Sequence, residues 1–384
     1  MKCCLVYLNL GPHHVARLKA LLTMLPTTSV VEVAGRQQKY PWSRRLDGLG
    51  SVVHTLFPDC FCQDVPPTEQ AAAVITSLKH LDPDVVVLDG YGEPVFRAAA
   101  RWAQRRHVPT VLRFVSTYGD KPRHWWKEFL KGWIISGYSA IAATGRRAVE
   151  YAYRLGASAS DVFRIGNPVD NSYFWSNSQR VRSDENTYRH RLDLPLHFFL
   201  TVSRLSPEKN LVRLVMAYDR YRKEGGGWDL VIVGSGPQKA ELSRLACTQE
   251  ISGIHLVDWC SYDELPTYYS LASCFVLPSV SEPWGLVVNE AMACGLPIIV
   301  SRACGCVPEL CRAEENSYVF APYSVEDLVG VLHKMSNDNE HRVEMGQASR
   351  RIIGEFDLGI WAESLAACIE QSQEKRPIRG SRSQ

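Results

Sequence analysis

Arg204 and Lys209 stand five positions apart in the string Ser203-Arg204-Leu205-Ser206-Pro207-Glu208-Lys209-Asn210, which follows an apolar run. A guanidinium offers a planar fork to phosphate oxygens and an ammonium a compact point charge, so this pair at a strand's end can clamp a diphosphate. Alone, it reads equally as two solvated loop cations. In Val233-Gly234-Ser235-Gly236-Pro237, the glycines Gly234 and Gly236 let backbone approach a ligand and the proline suits a helix start. The third glycine of a dinucleotide fingerprint is missing, and a tight turn explains the string as well. The longest string is Ser281-Glu282-Pro283-Trp284-Gly285-Leu286-Val287-Val288-Asn289-Glu290, continued by AMACGLP to Pro297. Pro283 keeps Glu282 outside a helix that Gly295 and Pro297 stop after Cys294. Glu282 therefore belongs to a loop and Glu290 to the helix's second turn. The amides of Gly285, Leu286 and Val287 form a helix N-terminus suited to phosphate or a developing oxyanion, and Glu290 can accept from ribose hydroxyls. The competing reading of the two carboxylates is an acidic cap and a surface glutamate.

Elements must bring these loops together. Short apolar runs alternate with longer amphipathic ones: CCLVYL, VVEVA, SVVHTLF, VVVLD, TVLRF, YSAIAA and DVFRI, with helices between. That alternation predicts parallel strands with helical crossovers, and it restarts with HFFLTVS, LVIVG, IHLV, CFVLP and PIIV. The expected organisation is a first α/β domain over 1–170, a polar linker over 171–196 and a second over 197–355. A helix over 356–373, with the option of crossing back to the first domain, and a flexible tail over 374–384 complete it. The three loops singled out all fall in the second domain, at carboxyl ends of its predicted strands, where open α/β sheets bind ligands.

Composition narrows the classes. At 384 residues, 46% hydrophobic and 22% charged, the chain is globular and long enough for two cores. No apolar stretch approaches a membrane span and the start lacks a leader pattern, so a cytoplasmic protein is expected. Several of the twelve cysteines sit in apolar runs, which favours reduced, packed thiols; Cys294, Cys304, Cys306 and Cys311 cluster without metal spacing, and no metal is expected. Residues 1–170 hold 21 basic and 14 acidic residues, a balance of +7, and the remainder 22 and 27, a balance of −5. The basic residues are dispersed and nucleic-acid signatures are missing, so nucleic acid is not an expected partner. The basic, tryptophan-rich segment from Lys121 to Ile135 reads either as a core helix with a solvated face or as a peripheral membrane contact.

The string SEPWGLVVNEAMACGLP, preceded by VSRLSPEKN and VGSGP at these intervals, closely resembles the group 1 (family 4) retaining glycosyltransferases, across essentially the whole chain. The resemblance implies a GT-B fold, two Rossmann-like α/β/α domains facing across a cleft, the second binding a nucleotide sugar and the first an acceptor. It implies sugar transfer to an acceptor hydroxyl with retention, from a UDP-, GDP- or ADP-linked donor, to a saccharide, lipid-linked or small-molecule acceptor, with no metal or other cofactor. Carried over, Arg204 and Lys209 are the diphosphate clamp, Glu282 a contact to donor-sugar hydroxyls, Glu290 the ribose ligand and Gly285 to Val287 the backbone phosphate site. Trp284, Gly234 and Gly236 join them on the donor side. Near the start, Gly11-Pro12-His13-His14-Val15-Ala16-Arg17-Leu18 resembles one branch of the family and departs from its commoner Gly-Gly loop, placing Gly11 and His14 at the cleft. The alternatives are a sugar-nucleotide epimerase, a phosphorylase or a non-catalytic nucleotide-sugar binder on the same fold.

Overall fold

A computed structural model describes residues 1–37, 46–120, 123–248 and 250–374. The chain divides into two units, Met1–Asn167 joined by the segment from Leu358, and Pro168–Asp357.

The first unit holds a seven-stranded parallel sheet of order β3-β2-β1-β4-β5-β6-β7. Its strands are β1 (Cys3–Tyr7), β2 (Thr28–Arg36), β3 (Val53–Phe61), β4 (Val85–Leu88), β5 (Thr110–Phe114), β6 (Ala140–Thr144) and β7 (Val162–Ile165). Helices α1 (Pro12–Met24), α2 (Pro67–Leu81), α3 (Pro94–Arg105), α4 (Trp125–Ile135) and α5 (Gly145–Arg154) connect them. The apolar runs have no polar alternation because both sheet faces are covered. Cys3, Leu5 and Tyr7 of β1 pack with Leu18 of α1, while Cys4 and Val6 face the opposite core with Val74, Phe96 and Ala148.

The second unit repeats the design as a six-stranded parallel sheet of order β10-β9-β8-β11-β12-β13. It opens with α6 (Asn171–Arg182) and α7 (Glu185–Leu192), then β8 (Phe198–Val202), α8 (Leu211–Lys223), β9 (Asp229–Val233), α9 (Lys239–Thr248) and β10 (Ile254–Val257). Next come α10 (Leu265–Leu271), β11 (Cys274–Leu277), α11 (Leu286–Ala293), β12 (Ile298–Ser301), α12 (Val307–Leu310), β13 (Ser317–Phe320), α13 (Val325–Asn337) and α14 (Asn339–Ile353). The final helix, α15 (Leu358–Glu374), lies in the first unit and packs Trp361, Leu365 and Ile369 beside α1.

One expectation is corrected. The stretch 171–196, read as a linker, contains α6 and α7 within the second unit, with Phe174 and Val181 fully buried in its core. Asp170 caps α6 by accepting from the Tyr173 N–H at 2.9 Å. The stretch's dense charge masked a sparse apolar spacing that suffices for a helix lying on a core. Of the expected tail, residues 375–384 lie outside the described residues, as do Lys121 and Pro122 of the basic aromatic segment. No helix among the described residues is long and apolar enough to cross a membrane.

Candidate active site

Three loops converge at the carboxyl ends of β8, β9 and β11 in the second unit. The loop after β8 passes Arg204 and makes one turn at Pro207–Lys209 before α8. Asn210 takes a left-handed φ of 60° and donates its side-chain amide to the carbonyls of Pro278, at 3.0 Å, and Pro322, at 2.8 Å. The Val280 N–H donates to the Glu208 carbonyl at 2.9 Å, stitching this loop to the one after β11. The loop after β9 lies against the first. The Leu205 N–H donates to the Ser235 carbonyl at 2.8 Å. A Cβ on Gly234 would sit 1.9 Å from the Ser203 carbonyl oxygen, and one on Gly236 2.5 Å from that of Leu205, both at φ near +150°. Close backbone approach thus requires glycine at both positions.

Each expected cation has a carboxylate partner. The Arg204 guanidinium pairs with Glu208 at 2.6 Å, and Glu208 also accepts from the Ser206 hydroxyl at 2.8 Å. Those donors, with Lys209, help hold the Glu208 carboxyl below its ordinary range, against the opposing effect of burial. Lys209 pairs directly with Glu282, each side chain only 14% exposed. Two residues 73 apart in sequence, one expected beneath the phosphates and one at the sugar, are thus in contact. Glu282 is fixed from the other side as well, because its carbonyl accepts from the Gly305 N–H at 2.8 Å and the Trp284 carbonyl accepts from Cys306 at 3.1 Å.

Gly285, at φ 104°, turns the chain into α11, whose first turn closes with the Val288 N–H donating to the Gly285 carbonyl at 2.9 Å, so the N–H groups of Leu286 and Val287 precede any acceptor within the helix. Leu286 and Val287 are half-buried there. Glu290 is 3% exposed and accepts from the buried Tyr269 hydroxyl at 2.6 Å. The carboxylate and burial raise the Tyr269 phenol well above its usual value and push the nearby Cys260 thiol up to about 12, where Glu264 contributes too. Tyr269 therefore stays a proton donor that fixes the carboxylate's orientation. Trp284 departs from the donor-side expectation. It is 3% exposed in the core cluster and donates its indole N–H to Asn289 at 2.9 Å, so it packs beneath the loop. An aromatic beside glycine in a loop gives no sign, in sequence, of which way its ring turns.

In the first unit, the carboxyl ends of β1, β4 and β5 carry a second constellation. The His14 Nδ1 accepts from the Gly11 N–H at 3.0 Å, which leaves the proton of a neutral imidazole on Nε2. Burial, with Arg17, Arg113 and His13 nearby, holds that imidazole well below its ordinary pKa. His14 meets the Tyr7 ring edge-on at 5.2 Å, and the Tyr7 hydroxyl accepts from Arg113 at 3.4 Å. Arg113 is 3% exposed, pairs with Asp89 at 2.6 Å and lies 5.9 Å from the centre of the Trp361 ring. Its Nε is buried without a hydrogen-bond partner among the described residues. Asp89, Tyr91, Arg113, Ser116, Arg123 and Lys131 line a cavity of about 400 Å³. Asp89 and Arg113 are not among the residues singled out from the sequence, although a charge just after the apolar run in VVVLD and one inside TVLRF was their signal.

Similarity to known proteins covers both units. Residues 183–352 match the family model of glycosyl transferases group 1, and residues 13–168 that of the glycosyl transferase 4-like domain. A sulfoquinovosyl transferase of Arabidopsis thaliana is 28% identical over 319 residues, 78% of this chain. A GDP-mannose-dependent α-(1-6)-phosphatidylinositol monomannoside mannosyltransferase of Mycobacterium tuberculosis is 31% identical over 160 residues, 40% of this chain. The chain spans 59% and 41% of the lengths of these two relatives. Among solved structures, HepE of Anabaena in complex with UDP has a TM-score of 0.74 at 15% identity, covering 96% of this chain and all of that one. Sucrose-phosphate synthase of Thermosynechococcus elongatus reaches 0.72 at 17% identity, covering 97% and 98%.

Proposed function

The chain belongs to the group 1 glycosyltransferases and has their GT-B fold, and on that premise we propose that it transfers a sugar from a nucleoside-diphosphate sugar to an acceptor hydroxyl, with retention and without a metal. The observation that carries this reading is the contact of Lys209 with Glu282 in front of α11's first turn. It gathers a cation, a carboxylate and unpaired amides at one sheet end, the chemistry that a diphosphate leaving group attached to a polyhydroxylated sugar requires.

In this reading Arg204 and Lys209 hold the diphosphate, and the α11 amides share its charge. Glu290, oriented by Tyr269, takes ribose hydroxyls, and Glu282 takes a hydroxyl of the sugar. As the anomeric C–O bond breaks, negative charge grows on the departing phosphate oxygen, and the cations stabilise it more than they stabilise the bound donor. The departing phosphate receives the acceptor's proton, so no protein base is assigned. His14, Asp89 and Arg113 face the acceptor, and His14, with its proton on Nε2, donates a hydrogen bond. The aromatic face of α4 lies on a membrane surface that bears the acceptor.

Thermal stabilisation by UDP, GDP and ADP, followed by a product assay with the donor so identified, tests the reading. Lys209→Ala and Arg204→Ala are expected to lower kcat by about 30- to 1,000-fold, which is roughly 2 to 4 kcal/mol, with a smaller change in donor KM. Turnover is expected to persist in EDTA. A rise in KM alone, or loss of turnover on chelation, overturns the clamp.

A further inference from the structure

At the amino ends of β8, β11 and β12, the opposite end of the second sheet from the loops above, lies a cavity of about 580 Å³. Four arginines line it, Arg182, Arg189, Arg342 and Arg350, and Glu185 is its one acidic lining residue. Glu185 is already engaged, because Arg189 pairs with it at 2.7 Å while donating to the carbonyls of Pro195 and Leu271. None of the other three arginines has a carboxylate partner among the described residues. Arg182 donates to the Cys294 carbonyl at 2.6 Å. Arg350 stacks over Trp175 with its guanidinium carbon 4.7 Å from the ring centre. Arg342 lies 5.0 Å over Trp228 and donates to Asn339, while its Nε is buried without a hydrogen-bond partner among the described residues.

Desolvated cations normally acquire a counter-charge, since removing a guanidinium from water is costly unless an anion replaces the lost hydration. Burial holds all three of these guanidiniums below their ordinary pKa. His197, on the same wall, is likewise held down by burial, then by Arg342 and Arg189. The positive charge is thus local and dense, four guanidiniums facing the single carboxylate of Glu185, although the chain after residue 170 carries a balance of −5.

We propose that this cavity is a second ligand site, for a phosphate-bearing small molecule whose negative charge is drawn by the guanidiniums of Arg182, Arg342 and Arg350 on its walls. Guanidinium forks match phosphate oxygens in pairs, and Trp175 and Leu196 offer apolar wall to an organic body. The volume exceeds what a lone phosphate fills and suits a small metabolite. Arg182 and the cavity's Gly295 place the ligand against the carboxyl end of α11, one helix length from the first-turn amides.

Calorimetric titration of the full chain with inorganic pyrophosphate and with a hexose 6-phosphate tests the site. The Lys209→Ala variant serves as background because it removes one of the two cations proposed to hold diphosphate at the other sheet end, and the arginine substitutions made on it report on this cavity alone. Saturable binding is expected to survive in Lys209→Ala and to weaken about tenfold or more when Arg342→Gln and Arg350→Gln are added. Hydrogen exchange on the unsubstituted chain gives a second readout, with added pyrophosphate slowing exchange at 294–297 and 342–350. Tighter binding of the hexose phosphate than of pyrophosphate assigns the site to an organic ester, and the reverse order to the free anion. Loss of all binding in Lys209→Ala, unchanged binding in the arginine variant, or displacement by sodium chloride at equal ionic strength overturns the proposal.

Discussion

Lys209 is paired with Glu282, and under the function proposed above that pairing sets a cost on donor binding that the isolated residues would not have. In the proposed donor site a diphosphate would share or displace the carboxylate, and with each side chain only 14% exposed the repulsion between Glu282 and phosphate would be weakly screened. Glu282→Gln is therefore expected to tighten nucleoside diphosphate binding by about fivefold, roughly 1 kcal/mol, while lowering turnover about tenfold or more. Calorimetry and a product assay separate the two effects, and weaker diphosphate binding in the variant would refute the competition. His14 gives a pH dependence of definite sign. Its folded-state pKa lies below the unfolded value, so below about pH 6.5 the unfolded chain binds the extra proton and stability falls as pH falls. His14→Gln, whose amide oxygen can still accept from Gly11, is expected to flatten chemical-denaturation stability between about pH 6.5 and 5, by up to about 1.4 kcal/mol per pH unit. Arg204, Lys209, Glu282 and Glu290 could be singled out in the sequence by their strings beyond apolar runs, and only the resemblance of those strings taken together set them apart from loop cations, a cap and a surface glutamate. The pairing of Lys209 with Glu282 was not legible there, since contact across 73 residues depends on which loops the strand order places side by side.

At the scale of the element, α4 presents two faces of opposite character. Trp125, Phe129 and Trp133 are 83%, 73% and 73% exposed at helical spacing, with Trp126 and Leu130 beside them. The other face is tied down. Ile135 is buried, and Lys131 and Glu128 are joined at 2.8 Å and both bonded to Tyr151. An aromatic stripe this open, with Lys127 beside Trp126, suits a bilayer interface. The chain is expected to co-sediment with phosphatidylcholine vesicles containing phosphatidylglycerol, and the triple variant Trp125→Ser, Phe129→Ser, Trp133→Ser to remain in the supernatant. Equal sedimentation of the two removes the membrane reading. Sequence showed cations among tryptophans here but left the outward face open, because only packing decides it. The strands were easier, since runs such as CCLVY and FFLTV have no polar side to offer and must be covered on both faces. Helices α6 and α7 were the hardest, with few apolar positions among many charges.

For the whole molecule, the governing fact is that the first unit is discontinuous and the second is not. Trp361, Leu365 and Ile369 of α15 complete a core begun by Cys3 and Leu5. Ending the chain after Asp357 is expected to expose that core. Hydrogen exchange should then accelerate throughout residues 1–167 while 168–357 keeps its protection, whereas unchanged protection of β1 and β4 would show α15 to be dispensable. The same arrangement orders events during synthesis. A ribosome moving from the amino end releases everything from Pro168 to Asp357 as one contiguous stretch before α15 emerges, so the unit begun second can close first. Until then the nascent first sheet waits with the face shared by α1 and α15 only partly covered, and any delay in elongation between Asp357 and Glu374 prolongs the interval in which chaperones, or other unfinished chains, can reach it.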